Sequence, residues 1–201
     1  MQFPQTLARF RSVTPRSVVE TINPNKKSYQ HSVRRSTTGQ RWGFELTTVK
    51  LSFENAIELQ TFIDQLDFDY VRFNMFNPLP TLGAGGGSPE TRALIAKGVT
   101  SIPIDGLSAS QTGIWKVGDF IQFDNHKKAY RVTSTINSNG TGQATASIHP
   151  ALIADVPSGT AINFGSNVNF QFELESEIED ISFAVSSGKL AEVSINVIEV
   201  G

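Results

Sequence analysis

The groups best able to do chemistry in this chain are three histidines, one glycine-rich loop and one acidic run. His31, His126 and His149 stand far apart in the sequence, with no HxH or HExxH spacing to make them paired metal ligands. His31 reads as a strand residue and His126 as the tip of a hairpin. The glycine-rich stretch GAGGGS, residues 83–88, lacks the Lys-Ser/Thr that a phosphate cradle carries after its last glycine. No helical periodicity follows it, so it reads as a flexible loop. The acidic run ELESEIED, residues 173–180, alternates along a strand. Glu173 and Glu175 then share one side while Phe172 and Leu174 face inward, which describes a solvated or lumen-facing surface better than a cation site. Asn139-Gly140-Thr141 matches a glycosylation sequon but reads as a turn. The absence of cysteine rules out disulfides, thiolate metal sites and cysteine nucleophiles. No nucleophile–base pair emerges, so neither an enzyme nor a cofactor is expected.

One weak binding patch remains. Lys127, Lys128 and Arg131 lie close to Tyr130, with Trp115 nearby, and basic grooves with exposed aromatics bind single-stranded nucleic acid and other polymers. Alternation puts Lys128, Tyr130 and Val132 on one face and Ala129, Arg131 and Thr133 on the other. Tyr130 therefore reads as core, and the three basic residues as a candidate ligand patch.

Composition narrows the class. The chain has 201 residues, 39% of them hydrophobic, enough for one large domain or two small ones. It has no apolar run of the roughly 18 residues a membrane-spanning helix needs, and its opening, MQFPQTLARFRSV, has no apolar region of a secretory signal. A net charge of −2 argues against a general nucleic-acid binder. The distribution is uneven, however. Residues 1–50 hold nine Lys/Arg against two acids, and residues 171–201 hold seven acids against Lys189. Opposite signs suit ends that lie side by side, a face that meets another copy, or plain solvated surface.

The elements that would position these groups are mostly strands. Residues 1–27, with Pro4, Pro15 and Pro24, read as an irregular arm with a short strand near residues 17–22. Residues 29–35 and 42–51 alternate as a hairpin around the turn TTGQ. SFENAIELQTFIDQLD then has Ser52 as N-cap and an apolar stripe of Ala56, Leu59, Ile63 and Leu66, widened by Ile57 and Phe62. Residues 70–76 alternate again. NPLPTLGAGGGSPE, residues 77–90, reads as a loop or linker without regular structure. Short strands with Gly, Asn, Ser and Asp turns fill residues 93–164, as in a small closed barrel. Residues 169–176, 181–185 and 190–200 are further strands, which need a partner sheet. The expected fold is mainly β (α+β). Residues 1–77 and 166–201 form a β-sandwich-like domain with one helix, 78–91 a linker loop, and 92–165 an inserted OB-like barrel.

The segment GVTSIPIDGLSASQTGIWKVGDFIQFDNHKKAYRVTSTINSNGTGQATASIHPAL resembles the central module of distal tail proteins from long-tailed siphophages, the T5 type in particular. The likeness rests on a VGDFIQF strand opened by Gly-Asp, a Lys-x-Tyr-x-Val strand after a polar turn, and a closing His-Pro-Ala-Leu. RWGFELTTVKLSFENAIELQTFIDQL is similar to the Trp-Gly start, strand and capped helix of that family. The resemblance implies a non-enzymatic virion protein, made in the host cytoplasm. It would form a hexameric ring between the tail tube protein and the tip or hub protein, with fibre or collar proteins as further partners. No membrane is involved, and DNA only passes through the lumen. On this reading Arg34, Arg35, Glu173, Glu175 and Glu177 are interface or lumen candidates, with Glu173 and Glu175 on an acidic lining. The alternative is an adhesion module whose barrel grips a carbohydrate or another polymer.

Overall fold

The computed structural model of the chain describes residues 1–22, 35–66, 71–175, 184–186 and 190–200. Two long strands open it: β1, Phe10–Ile22, and β2, Arg35–Thr48, pair antiparallel as a hairpin. Within the irregular arm expected over residues 1–27, Phe10–Ile22 is strand, longer than the short strand expected near residues 17–22. Pro15 is tolerated because β1 is an edge of its sheet, where a missing N–H need not be paired. TTGQ, expected as a turn, lies inside β2. Gly39, at φ +68°, sits in that stretch, where the register jumps between Val19 and Thr21, so the glycine serves a bulge and not a reversal. Residues 29–34 of the expected first hairpin strand lie outside the described residues.

β3, Leu51–Ser52, leads into helix α1, Phe53–Asp64. The Ser52 hydroxyl accepts the Asn55 N–H at 3.3 Å, capping the helix, and Glu54 in the first turn complements its dipole. Ala56, Leu59, Phe62 and Ile63 are buried. Ile57, expected in that stripe, is instead 45% exposed. It stands four residues after exposed Phe53 and shares that residue's outer ridge. β4, Phe73–Phe76, buries Phe73 and Met75 and is shorter than expected; Tyr70 lies outside the described residues.

The chain then builds a barrel and returns with β11, Asn169–Leu174, β12, Ala184–Ser186, β13, Leu190–Glu192, and β14, Ser194–Glu199. One antiparallel sheet runs β1-β2-β14-β11-β4, taking strands from both sides of the barrel, and a small one runs β12-β13-β3. The single strand expected over residues 190–200 divides at Val193. There the Val193 N–H reaches the Thr48 hydroxyl at 3.0 Å and the Thr48 N–H reaches the Val193 carbonyl at 2.9 Å, which turns the chain from one sheet to the other. The inner face of the five-stranded sheet is aromatic. Phe44 meets Phe170 and Phe172 edge-on at 5.3 and 5.5 Å, and α1 covers this face with Leu59, Phe62 and Ile63. Such ring pairs add about 0.5–1.5 kcal/mol each beyond their buried area.

The barrel comprises β5, Gly87–Thr91, β6, Ser101–Leu107, β7, Phe120–Phe123, β8, Ala129–Val132, β9, Ala144–His149, and β10, Ile162–Phe164. Their order is β10-β7-β8-β9-β6-β5, and a bridge from Glu90 to Ala161 draws the two ends together into a nearly closed sheet. Ile121, Phe123, Tyr130 and Val132 fill its interior with Ile102, Ile104 and Trp115. Phe120 and Ala129 point the other way and join the core of the five-stranded sheet. β7 is therefore buried on both faces, which is why FIQF shows no polar side: Gln122 is buried too, with its amide bonded to the Lys127 and Asn169 carbonyls at 2.7 and 3.0 Å.

The Gly/Pro-rich segment is neither free of structure nor loosely held. β5 occupies its end, and the residues before it lie on the barrel as a strap, with Ala84 and Gly85 donating to the Gly113 and Ile114 carbonyls at 3.0 and 2.9 Å. The glycines are there for closeness: a Cβ on Gly83 would stand 2.3 Å from the Ile114 oxygen, and one on Gly85 2.2 Å from the Phe164 ring. Buried Asp119 explains the Gly-Asp that opens β7. Its carboxylate accepts the N–H groups of Leu82, Gly83 and Lys116 at 2.7, 2.9 and 2.8 Å. The fold is mainly β, with one α-helix and one 3-10 turn, Gly165–Asn167, among the described residues. No helix among them is long and apolar enough to cross a membrane.

Candidate functional site

Two surfaces gather the charged residues. The first is the outer face of the five-stranded sheet. Arg16 on β1 lies opposite Gly43 on β2, and the missing side chain leaves room for the arginine stem, which a Cβ would touch at 3.0 Å. From there Arg16 pairs with Glu175, while Arg41 on β2 pairs with Glu173 on β11 at 3.4 Å. Arg11 pairs with Glu192 at 3.0 Å. The basic first part and the acidic last part of the chain thus meet within one chain. Each pair is partly exposed and contributes about 1 kcal/mol or less. Glu173 and Glu175 do share a side, as alternation predicted, but arginines answer both charges. Arg35 opens β2 opposite Ile22; Arg34 and Glu177 lie outside the described residues.

The second is the junction between sheet and barrel. β14 buries Val197 and then, two residues on, Glu199, which is fully buried. Its carboxylate accepts the Ala129 N–H at 2.8 Å and the Trp42 N–H at 3.1 Å, and forms an ion pair with Lys128. The Lys128 ammonium also donates to the Gln40 carbonyl at 2.6 Å. Burial pushes the Glu199 carboxyl above the usual carboxylate range, against the pull of Lys128. Burial likewise pushes the Lys128 ammonium down, against the pull of Glu199. Burial thus opposes the charge on both partners, and the hydrogen bonds from Ala129 and Trp42 help to hold the carboxylate charged. Around it, the Trp42 indole donates to the Ala129 carbonyl at 2.9 Å, and the Arg131 guanidinium lies 4.8 Å from the Trp42 ring centre and 5.0 Å from that of Phe120.

The candidate ligand patch is therefore not assembled. Lys127 is exposed, Lys128 is buried against Glu199, and Arg131 stacks on the rings of the junction. Tyr130 is barrel core, its hydroxyl hydrogen-bonded to His126 Nε2 at 2.7 Å and accepting the Ile153 N–H at 3.2 Å. Glu199 escaped the sequence reading although a signal was present: the inward series Val193, Ile195, Val197 reaches it at the next step. Among the described residues, no three His, Asp or Glu side chains gather where they could hold a metal ion. No protein-family profile matches the chain, and no curated protein sequence matches it.

Proposed function

We propose that the chain is a structural subunit of a siphophage tail, one copy of the ring that joins the tail tube to the tip. The observation that carries this reading is the open edge of the five-stranded sheet. β1 runs thirteen residues with no neighbour beyond it among the described residues. β14 pairs with β2 from Ser194 opposite Thr47 to Ile198 opposite Gly43, so beyond it, among the described residues, β1 and β2 continue as a two-stranded ribbon to Ile22 opposite Arg35. A ribbon of that kind is marginal in water by itself, and a long unpaired edge invites another chain. A second copy is the natural occupant, and a head-to-tail contact that closes by rotation makes a ring. The sequence resemblance to distal tail proteins favours six copies, with the barrel outward.

The outer sheet face suits a lumen in a different way from a bare acidic wall. Arg16 and Arg41 on it are each held by a glutamate, which weakens their grip on passing phosphates. Light scattering across a wide concentration range tests self-assembly. The expected mass of the assembled form is about six times the 21.9 kDa chain. A monomer at every concentration, with tube and tip partners supplied, would overturn the reading.

A further inference from the structure

We propose that residues 1–5 are a detachable guard on the β4 edge of the sheet, displaced on assembly by the β1 edge of a second copy. The proposal rests on the ring reading for its partner, but the guard itself stands on separate geometry. β4 is the far edge of the sheet from β1, and unlike β1 it is covered. Gln2 forms a parallel bridge with Asn74. The Asn74 N–H donates to the Met1 carbonyl at 2.8 Å, and the Phe3 N–H donates to the Asn74 carbonyl at 2.8 Å. One step further along β4 the backbone of the opening segment has moved away, and a side chain takes its place. The Gln5 amide donates to the Phe76 carbonyl at 2.8 Å and accepts the Phe76 N–H at 3.1 Å, imitating the two bonds of a strand neighbour.

The outward-facing backbone groups of Asn74 and Phe76 are thus satisfied by residues 1–5, and the edge is closed to outside strands. Phe3 anchors the segment, its buried ring stacked on Phe10 at 5.7 Å and edge-on to Phe62 at 5.5 Å. Met1 and Gln2 on one side of this anchor are exposed, and Pro4 and Gln5 on the other are half-buried. The closed form is therefore the resting one, held by one ring and a few bonds at the surface. A copy's β1, Pro15 apart, offers outward backbone groups that have no strand neighbour among the described residues, and pairing it to β4 continues the sheet from subunit to subunit.

Two measurements test this. The chain has no cysteine, so Gln2→Cys with Asn74→Cys gives one possible disulfide, across an existing bridge. Oxidised, this variant should need at least about tenfold more protein to assemble than when reduced, and Gln5→Ala should shift assembly the opposite way. Hydrogen exchange on the unmodified chain gives the second readout. Amides alternate in direction along a strand, so those of Phe73 and Met75 point to β11 while those of Asn74 and Phe76 point to the guard. The guarded pair should exchange at least about tenfold faster, since only local opening is needed. Equal exchange of all four amides, or equal assembly of oxidised and reduced forms, overturns the guard. A chain that stays monomeric in every form overturns the ring reading and the proposed partner together. That outcome differs from failure of the guard alone, in which the unmodified chain assembles and oxidation changes nothing.

Discussion

Lys128 and Glu199, 71 positions apart, form a buried ion pair that ties the barrel to the last strand of the sheet. Single and paired substitutions should behave very differently there. Lys128→Met or Glu199→Leu alone leaves an unanswered buried charge and should cost about 3–5 kcal/mol. The double variant removes both charges and should cost less than either single change, or even stabilise. Chemical denaturation of the four proteins of this cycle measures it. Additive losses would mean that the two side chains do not act as a pair.

Asp119 holds the strap to the barrel through the Leu82 and Gly83 N–H groups and accepts a third, from Lys116, within its own turn. Asp119→Ala strands those donors near the barrel surface and should cost about 3 kcal/mol or more. Limited proteolysis should then cut within residues 80–86 faster than in the unmodified chain. Unchanged melting and unchanged cleavage would show that the carboxylate is dispensable.

The glycines of the strap can be compared with one that has room. Gly98 has φ +87° and nothing within 4 Å of an added Cβ, so Gly98→Ala meets only the left-handed backbone penalty of about 1–2 kcal/mol. Gly85 has φ +65° and the Phe164 ring in the way, so Gly85→Ala adds overpacking of about 1–3 kcal/mol. Thermal melts should rank Gly85→Ala well below Gly98→Ala. Equal melting would mean that the strap yields freely.

Much of the architecture was legible from the residue pattern, and the failures have physical causes. The helix announced itself through Ser52 and the spacing of Ala56, Leu59 and Ile63, all of which behave as read. The short strands of the barrel stood out by their Gly and Asn turns. Pro15, Gly39 and the GAGGGS loop misled for one shared reason: proline and glycine also mark edges, bulges and close backbone contacts, and only the neighbours tell these apart from turns and linkers. The junction was less legible still. Lys128 looked like surface because its partner stands at the far end of the chain. Only the tertiary fold brings β14 beneath β8.

Burial pushes the Tyr130 hydroxyl up to about 12 from an ordinary value of 10.0. A raised value in the folded chain contributes stability that is present below the ordinary value and lost as pH rises through about 12. Ultraviolet titration of tyrosinate, with Tyr29 and Tyr70 replaced by Phe, should show this late ionisation, with unfolding accompanying it. Titration at the ordinary value would place Tyr130 in water. His126, bonded to the same hydroxyl, is shifted down by burial from 6.5. Its contribution is present above that ordinary value and is lost as pH falls through the lower folded one, so acid should loosen the same corner of the barrel.

The most direct test of the account is where the chain sits in a tail. Electron microscopy of intact particles, with a gold label on the barrel loop around Gly140, would show it. Label at the distal end of the tail tube, in a ring around the axis, is the predicted result. Label along the whole tube, on the capsid, or absent from purified particles would contradict it.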